Sequence, residues 1–250
     1  MLEMEVRMTK DGQIIVCHDE DLLRLCGDTR KVSDVEFKDL PKFLKKMPMH
    51  FSKFGKQAGK DEASLDTTFE TYDRKAGDQD CFSLLEDVFK AIPKVVPISL
   101  EVKDKDSIEA CTKVVDLIKK YERFSTTVIG GEDDYVNERF LQMDERVCLS
   151  CTKQDVLKIV LFYFTGLLPF LAINRDCFQM VYMTRDFIKM KYEERKVAKS
   201  FGQKCFLTGF IYLGQLFNMF AGSAFKHLQD RGIFTVYGIL NEESETACAL

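Results

Sequence analysis

Two segments of the chain alternate between apolar and polar side chains. Residues 2–8 (LEMEVRM) alternate without a break, and residues 96–103 (VPISLEVK) repeat the pattern. Because successive side chains of a strand point to opposite faces, both segments are predicted to be strands with one apolar and one polar face. Residues 13–17 (QIIVC) predict a further short strand after a turn at residues 10–12 (KDG).

Helical patterns separate the other predicted strands. Helices are predicted over residues 83–92, over 134–142 and after Asp106, where Asp106 and Glu109 resemble a capping pair. Short strands are predicted near residues 126–129, 146–151 and 233–240. This alternation of strands and helices favours a parallel α/β fold. Residues 52–80 are polar and predict a long loop excursion.

Two uncharged runs, at residues 159–174 and 205–225, interrupt this alternation of strands and helices. Both lie within a predicted helical region over 155–225. Gly166 and Pro169 interrupt the first run, which is shorter than the roughly 20 apolar residues of a membrane-spanning helix. In the second run one helical face is predicted to carry Phe206, Phe210, Leu213, Phe217 and Phe220. The runs are either buried helices packed on the sheet or an apolar excursion that touches a membrane surface.

Composition narrows the class of protein. The 250 residues carry 36 Lys and Arg against 40 Asp and Glu, a net charge of −4 that argues against nucleic-acid binding. The nine cysteines are scattered along the chain and indicate reduced thiols in a cytosol-facing protein. The length predicts a single domain over residues 1–250, close to the size of a (β/α)8 barrel.

The candidate chemistry lies on the polar faces of the predicted strands. Glu3 and Glu5 are two residues apart, so their carboxylates point the same way, and Glu101 lies on the polar face of the other strand. A calcium or magnesium ion would relieve the repulsion if the three converge. The alternative is that these glutamates line the solvated face of an amphipathic sheet. His18, at a strand end, is either a general acid or base or a loop histidine bonded to nearby backbone.

The N-terminal motifs resemble the glycerophosphodiester phosphodiesterase family. Residues 3–5 (EME), 9–12 (TKDG) and 16–19 (VCHD), with Leu22 and Arg24 after them, are similar to the family's E-x-D, T-x-D-G, V-x-x-H-D and L-x-R. Residues 99–103 (SLEVK) look like its E-x-K strand, and residues 84–88 (LLEDV) like the segment before it. Residues 162–170 (FYFTGLLPF) and 240–243 (LNEE) resemble a membrane-associated, lysophospholipase-D-like subgroup of animals.

The resemblance implies a TIM (β/α)8-type barrel with apolar helical insertions that hydrolyses phosphodiesters with a divalent metal, Mg or Ca. By position, Glu3, Glu5 and Glu101 would be the metal ligands. His18 would be a catalytic histidine that protonates the leaving alcohol, and Lys103 would contact a phosphate oxygen.

Departures from the family pattern shape these expectations. Glu5 replaces the usual Asp, and the family's H-R-G, E-N-T and final G-x-x-G-x-x-T-D-x-P are absent. The expected barrel is therefore incomplete, without its first and last βα units, and the 250 residues alone are expected to turn over substrate poorly or not at all. The alternative function is a catalytically inactive form that binds metal, lipid or a partner.

The remaining expectations concern substrate and location. The substrate is a glycerophosphodiester or a lysophospholipid, giving glycerol phosphate or lysophosphatidic acid plus an alcohol. The expected location is the cytoplasmic face of intracellular membranes, the endoplasmic reticulum in particular, with peripheral attachment to the membrane surface. No nucleic-acid partner is expected, and the sequence does not specify the oligomeric state.

Overall fold

A computed structural model of the chain describes residues 1–48, 71–73, 75, 77, 79–130 and 134–238. The strands of this part are β1 (Leu2–Met8), β2 (Ile14–Val16), β3 (Lys46–Pro48), β4 (Thr71–Asp73), β5 (Ile98–Val102), β6 (Thr127–Gly130), β7 (Cys148–Leu149), β8 (Cys177–Val181) and β9 (Phe234–Gly238). Its α-helices are α1 (Leu23–Cys26), α2 (Leu85–Ala91), α3 (Ile108–Lys120), α4 (Asp134–Met143), α5 (Lys153–Phe164), α6 (Arg185–Val197) and α7 (Phe201–Gln229).

The main sheet has the strand order β2-β1-β5-β6-β7. Strands β1, β5, β6 and β7 run parallel, and only β2 is antiparallel to its neighbour β1. Strands β3 with β4 and β8 with β9 form two separate two-stranded sheets. The predicted parallel α/β fold is confirmed, and the described strands do not close into a complete ring.

Contacts divide the chain into two compact units. Among the described residues, the first unit is drawn from 1–47, 73–158 and 172–177, and the second from the remainder. The prediction of a single domain stays a prediction. The predicted polar loop over 52–80 falls largely outside the described residues.

In the first unit, the apolar face of the sheet is covered by helices. Val6, Leu100 and Ile129 are completely buried, and they pack with side chains of α3 and α4 such as Val114 and Phe140. Because the strands alternate, the opposite face carries Glu3, Glu5, Arg7 and Glu101. The pattern read from the sequence therefore places the apolar residues correctly and leaves the polar face for the candidate site.

The start of α3 differs from the prediction. Its N-cap is Ser107, whose Oγ accepts a hydrogen bond from the backbone N–H of Ala110. The predicted capping pair of Asp106 and Glu109 is therefore wrong by one position. A serine in extended conformation satisfies a free N–H of the first turn directly, which makes it the better cap.

In the second unit, α7 is the longest helix and begins with a capping box formed by Ser200 and Gln203. Of the apolar face predicted for this helix, Phe217 is fully buried, whereas Phe206 and Phe220 are exposed. The buried residues of α7 are both large and small: Leu207, Ile211, Gly214, Phe217, Ala221, Ala224 and Leu228. A Cβ atom at Gly214 would lie 2.3 Å from Cε and 2.8 Å from Cγ of Met183, so a larger residue there would force the Met183 side chain to move.

The helix α7 is long and apolar enough to cross a membrane by length and composition. A buried core helix satisfies the same test, although only 28% of the most apolar window of α7 is buried. Helix α5 ends at Phe164, inside the first uncharged run and just before Gly166, whose φ is +73°. The run then continues as a short 3-10 turn over Leu168–Phe170. Gly166 and Pro169 thus interrupt the helix as predicted.

Candidate active site

Three glutamates converge on the polar face of the main sheet. In the parallel register of β1 and β5, Glu5 lies opposite Glu101, and Glu3 is two residues before Glu5 on the same face. One carboxylate oxygen from each of the three lies within 4.8 Å of the others. The expectation that the three side chains meet is confirmed; their role as metal ligands stays a prediction.

Lys103 lies among these carboxylates. Its Nζ is 2.8 Å from Oε1 of Glu5 and 2.8 Å from Oε1 of Glu101. Burial opposes the charge of the ammonium group, but the hydrogen bonds to Glu101 and Glu5 outweigh it and raise the pKa of Lys103. The lysine therefore remains a cation and neutralises part of the cluster.

One lysine does not balance three carboxylates. The pKa of Glu3 is raised above its ordinary value, first by desolvation of the carboxylate and then by the charges of Glu5 and Glu101. These contributions exceed the opposing effect of Lys103. With three carboxylates and one ammonium group, the cluster has more negative than positive groups, which favours a further cation.

His18 follows β2 and lies beside the cluster. Its Nδ1 is 2.7 Å from Oδ1 of Asp19, and its Nε2 is 3.7 Å from Oε1 of Glu5. Burial acts to raise the pKa of Asp19, but hydrogen bonds from His18 and Arg24 prevail and lower it to about 2. An ionised carboxylate can only accept, so Nδ1 carries the proton and Nε2 is the nitrogen that faces the glutamates. Of the remaining histidines, His50 lies outside the described residues and His227 lies on α7.

Sequence reasoning did not assign a role to Arg7. The alternation placed it on the polar face, but nothing in the sequence connected it to its partners. In the structure its Nε donates to the carbonyl oxygen of His18, and its Nη1 donates to Asp104. Asp104 is the residue after Lys103, so both partners adjoin the candidate site.

A second charged cluster follows the C-terminal ends of β6 and β7. Arg175 donates from Nη2 to Asp134 at 2.9 Å and from Nε to Asp155 at 2.8 Å. The hydroxyl oxygen of Thr152 lies 3.1 Å from both carboxylates. Thr152 also accepts from the backbone N–H of Asp155, so this cluster includes the N-terminal cap of α5. It was not predicted from the sequence.

Comparisons with known proteins show what this chain is similar to. The glycerophosphoryl diester phosphodiesterase family matches residues 1–163. The human protein named lysophospholipase D GDPD1 is 33% identical over 245 residues, which cover 98% of this chain and 69% of that protein. Human lysophospholipase D GDPD3 is 27% identical over 252 residues, which cover 100% of this chain and 69% of that protein.

Solved structures support the fold. A structure from Silicibacter pomeroyi assigned as a glycerophosphoryl diester phosphodiesterase is 13% identical, with a TM-score of 0.52, and the match covers 99% of this chain and 76% of that one. One from Agrobacterium tumefaciens with the same assignment is 11% identical, with the same TM-score and coverage. The fold is thus of the TIM-barrel type seen in phosphoric diester hydrolases. The chain belongs to the glycerophosphoryl diester phosphodiesterase family.

Proposed function

We propose that this chain is a metal-dependent phosphodiester hydrolase that acts on glycerophosphodiesters or lysophospholipids. The observation that carries the proposal is the group of three glutamate carboxylates within 4.8 Å of one another. Lys103 and His18 both contact this group through Glu5. The substrate class comes from the similarity to proteins named lysophospholipase D.

The residues of the cluster fit a hard divalent cation. All three offer carboxylate oxygens, the ligands that Ca²⁺ and Mg²⁺ prefer. The three carboxylates are neutralised only in part by Lys103, which favours a further cation at this place. Glu3, Glu5 and Glu101 would hold the ion, which when bound would act as a Lewis acid toward a phosphoryl oxygen.

The protein's own groups supply the remaining chemistry. Lys103 carries positive charge where negative charge develops on a phosphate oxygen, and such stabilisation lowers the barrier. Asp19 orients the His18 ring through Nδ1, which leaves Nε2 to hold a proton and give it to the leaving alkoxide. Among the described residues of the first unit His18 is the only histidine, so we expect slow turnover from these 250 residues alone.

Choline release from lysophosphatidylcholine and glycerophosphocholine tests the proposal. We expect release that requires added Mg²⁺ or Ca²⁺, stops with a chelator, and falls about 100-fold or more in Glu101→Gln and in His18→Asn. Glu20→Gln is the matched control, because Glu20 pairs with Lys31 on the exposed surface. Release that persists with chelator or in Glu101→Gln would contradict the proposal. Cation binding with no release from either substrate would favour the catalytically inactive alternative.

We further propose that the second unit binds a membrane surface peripherally, at the cytoplasmic face of an intracellular membrane such as the endoplasmic reticulum. The support is a set of large apolar side chains left in solvent. Phe170 is 83% exposed and Met219 is 76% exposed, and Phe206 is exposed as well. Exposed apolar area of this kind marks interaction surfaces, and a lysophospholipid substrate is found in bilayers or micelles.

Liposome sedimentation tests the membrane proposal. The replacement of Phe162, Phe164 and Phe170 by Ser is expected to move the protein from the pellet to the supernatant without unfolding it, because Phe164 and Phe170 are exposed. Phe217→Ser is the contrasting variant, since Phe217 is fully buried and its loss should unfold the protein. An intact parent protein that stays in the supernatant would contradict the proposal.

A further inference from the structure

Arg7 joins three segments of the chain that meet at the candidate site. It lies on β1, two residues after Glu5, and its side chain is only 14% exposed. Its Nε donates to the carbonyl oxygen of His18 at 3.0 Å, and its Nη1 donates to Oδ1 of Asp104 at 2.8 Å. The other oxygen of Asp104 accepts the backbone N–H of Met8 at 2.6 Å.

The segment that carries His18 has few other fixed points on β1. Strand β2 has three residues and pairs with β1 only at Val6–Met8. Beyond it, the backbone N–H of Cys17 donates to the carbonyl oxygen of Glu5 at 2.9 Å. The bond from Arg7 to the next residue, His18, therefore fixes the main chain from which the imidazole projects.

Asp104 connects the same arginine to the other half of the site. The backbone N–H of Lys103 donates to the carbonyl oxygen of Val6 at 3.0 Å, and Asp104 is the next residue. A shift of Arg7 would thus alter the spacing between His18 and the end of the segment that holds Glu101 and Lys103. Asp104 also neutralises the arginine beside the glutamate cluster.

We propose that Arg7 is a positioning residue for the phosphodiester reaction. Its guanidinium holds the main chain of His18 at a fixed distance from the glutamate cluster while Asp104 holds the guanidinium. The role in catalysis rests on the proposed function, whereas the placement of His18 does not. The planar guanidinium presents donors in two directions, which a lysine ammonium cannot reproduce in the same geometry. Both Nε and Nη1 are used by the protein, so Arg7 supports the site and does not contact substrate through these atoms.

Histidine NMR gives a readout that is independent of activity. The chain has three histidines, so the imidazole signal of His18 can be assigned with His18→Asn. In Arg7→Met we expect the His18 signal to shift or broaden and the His227 signal to stay in place. Arg30→Met is the matched control, because Arg30 forms an exposed pair with Asp28 and should leave both signals unchanged.

Kinetics then separate positioning from substrate binding. With His18 displaced, kcat should fall about 10- to 100-fold while KM and the affinity for Ca²⁺ stay within about threefold. Arg7→Lys should recover part of kcat. An unchanged His18 signal, or a rise in KM with kcat unchanged, would overturn the proposal.

A variant that unfolds does not leave the question open. If Arg7→Met is unfolded by circular dichroism, Asp104→Asn keeps the volume and weakens the hold on Arg7, and it must still move the His18 signal. An unmoved signal in a folded Asp104→Asn would then overturn the proposal. If no variant or parent protein hydrolyses either substrate, the proposed function fails, and the displacement of the His18 signal alone decides whether Arg7 positions it.

Discussion

Two clusters of carboxylates in the first unit differ in how their charge is balanced. Asp134 and Asp155 share Arg175 and the hydroxyl of Thr152, and Asp155 also accepts a backbone N–H at the start of α5. The other cluster has three glutamates and one lysine, and none of its carboxylates caps a helix. Carboxylates whose lone pairs are occupied by the protein's own donors stabilise the fold, whereas carboxylates in excess of their donors favour an external cation.

The comparison predicts different consequences when the single cation of each cluster is removed. The Arg175→Met variant leaves Asp134 and Asp155 without a counter-charge. We expect the free energy of unfolding to fall by about 2–4 kcal/mol, less than for a fully buried pair because Asp134 is 38% exposed. Chemical denaturation checks the value. Added Mg²⁺ or Ca²⁺ should not restore the lost stability. Restoration by either ion would contradict the proposed difference between the two clusters.

The equivalent change in the glutamate cluster is Lys103→Met. We expect a loss of about 1–3 kcal/mol without divalent cation, because three carboxylates then repel one another. Here a saturating divalent cation should restore the stability, since a ligand that binds only the folded state stabilises it by about 2.7 kcal/mol at 100 times its Kd. Thermal melts with and without Ca²⁺ measure both effects. Equal loss with and without the ion would show that the cluster does not take it up.

The smallest effect is expected at Asp19, which orients His18. Its pKa is lowered to about 2 from an ordinary 3.8, so the ionised form stabilises the folded state above pH 4 and this stabilisation is lost as the pH falls toward 2. Asp19→Asn should lower the free energy of unfolding by about 1–2 kcal/mol at pH 7. Denaturation curves at pH 7, 4 and 2 should show the difference between parent and variant shrinking toward zero. A difference that is constant over this range would contradict the assignment.

The glutamate cluster could be predicted because strand periodicity is a local signal. Alternation placed Glu3, Glu5 and Glu101 on polar faces, and a parallel pairing of the two strands was enough to bring them together. Motif resemblance supplied His18 and Lys103. The contact between Lys103 and the carboxylates was not predicted, because a four-carbon side chain can extend in several directions from the same strand position.

The second cluster could not be found by the same reasoning. The partners of Arg175 lie 20 and 41 positions away in sequence, on different helices, and no local periodicity connects them. The sequence also left open whether the aromatic face of α7 is buried, because a helical face of large apolar residues fits both a core and an exposed surface. In the structure Phe217 is buried and Phe206 is exposed.

Calorimetric titration of the 250-residue chain with Ca²⁺ or Mg²⁺ tests the central claim most directly. The account predicts one cation bound per chain. Its affinity should fall at least about 10-fold in Glu101→Gln and change less than about twofold in Asp155→Asn, because only the first variant removes a charged carboxylate from the glutamate cluster. Absence of binding by the folded parent protein, or equal affinity in parent and Glu101→Gln, would contradict the account.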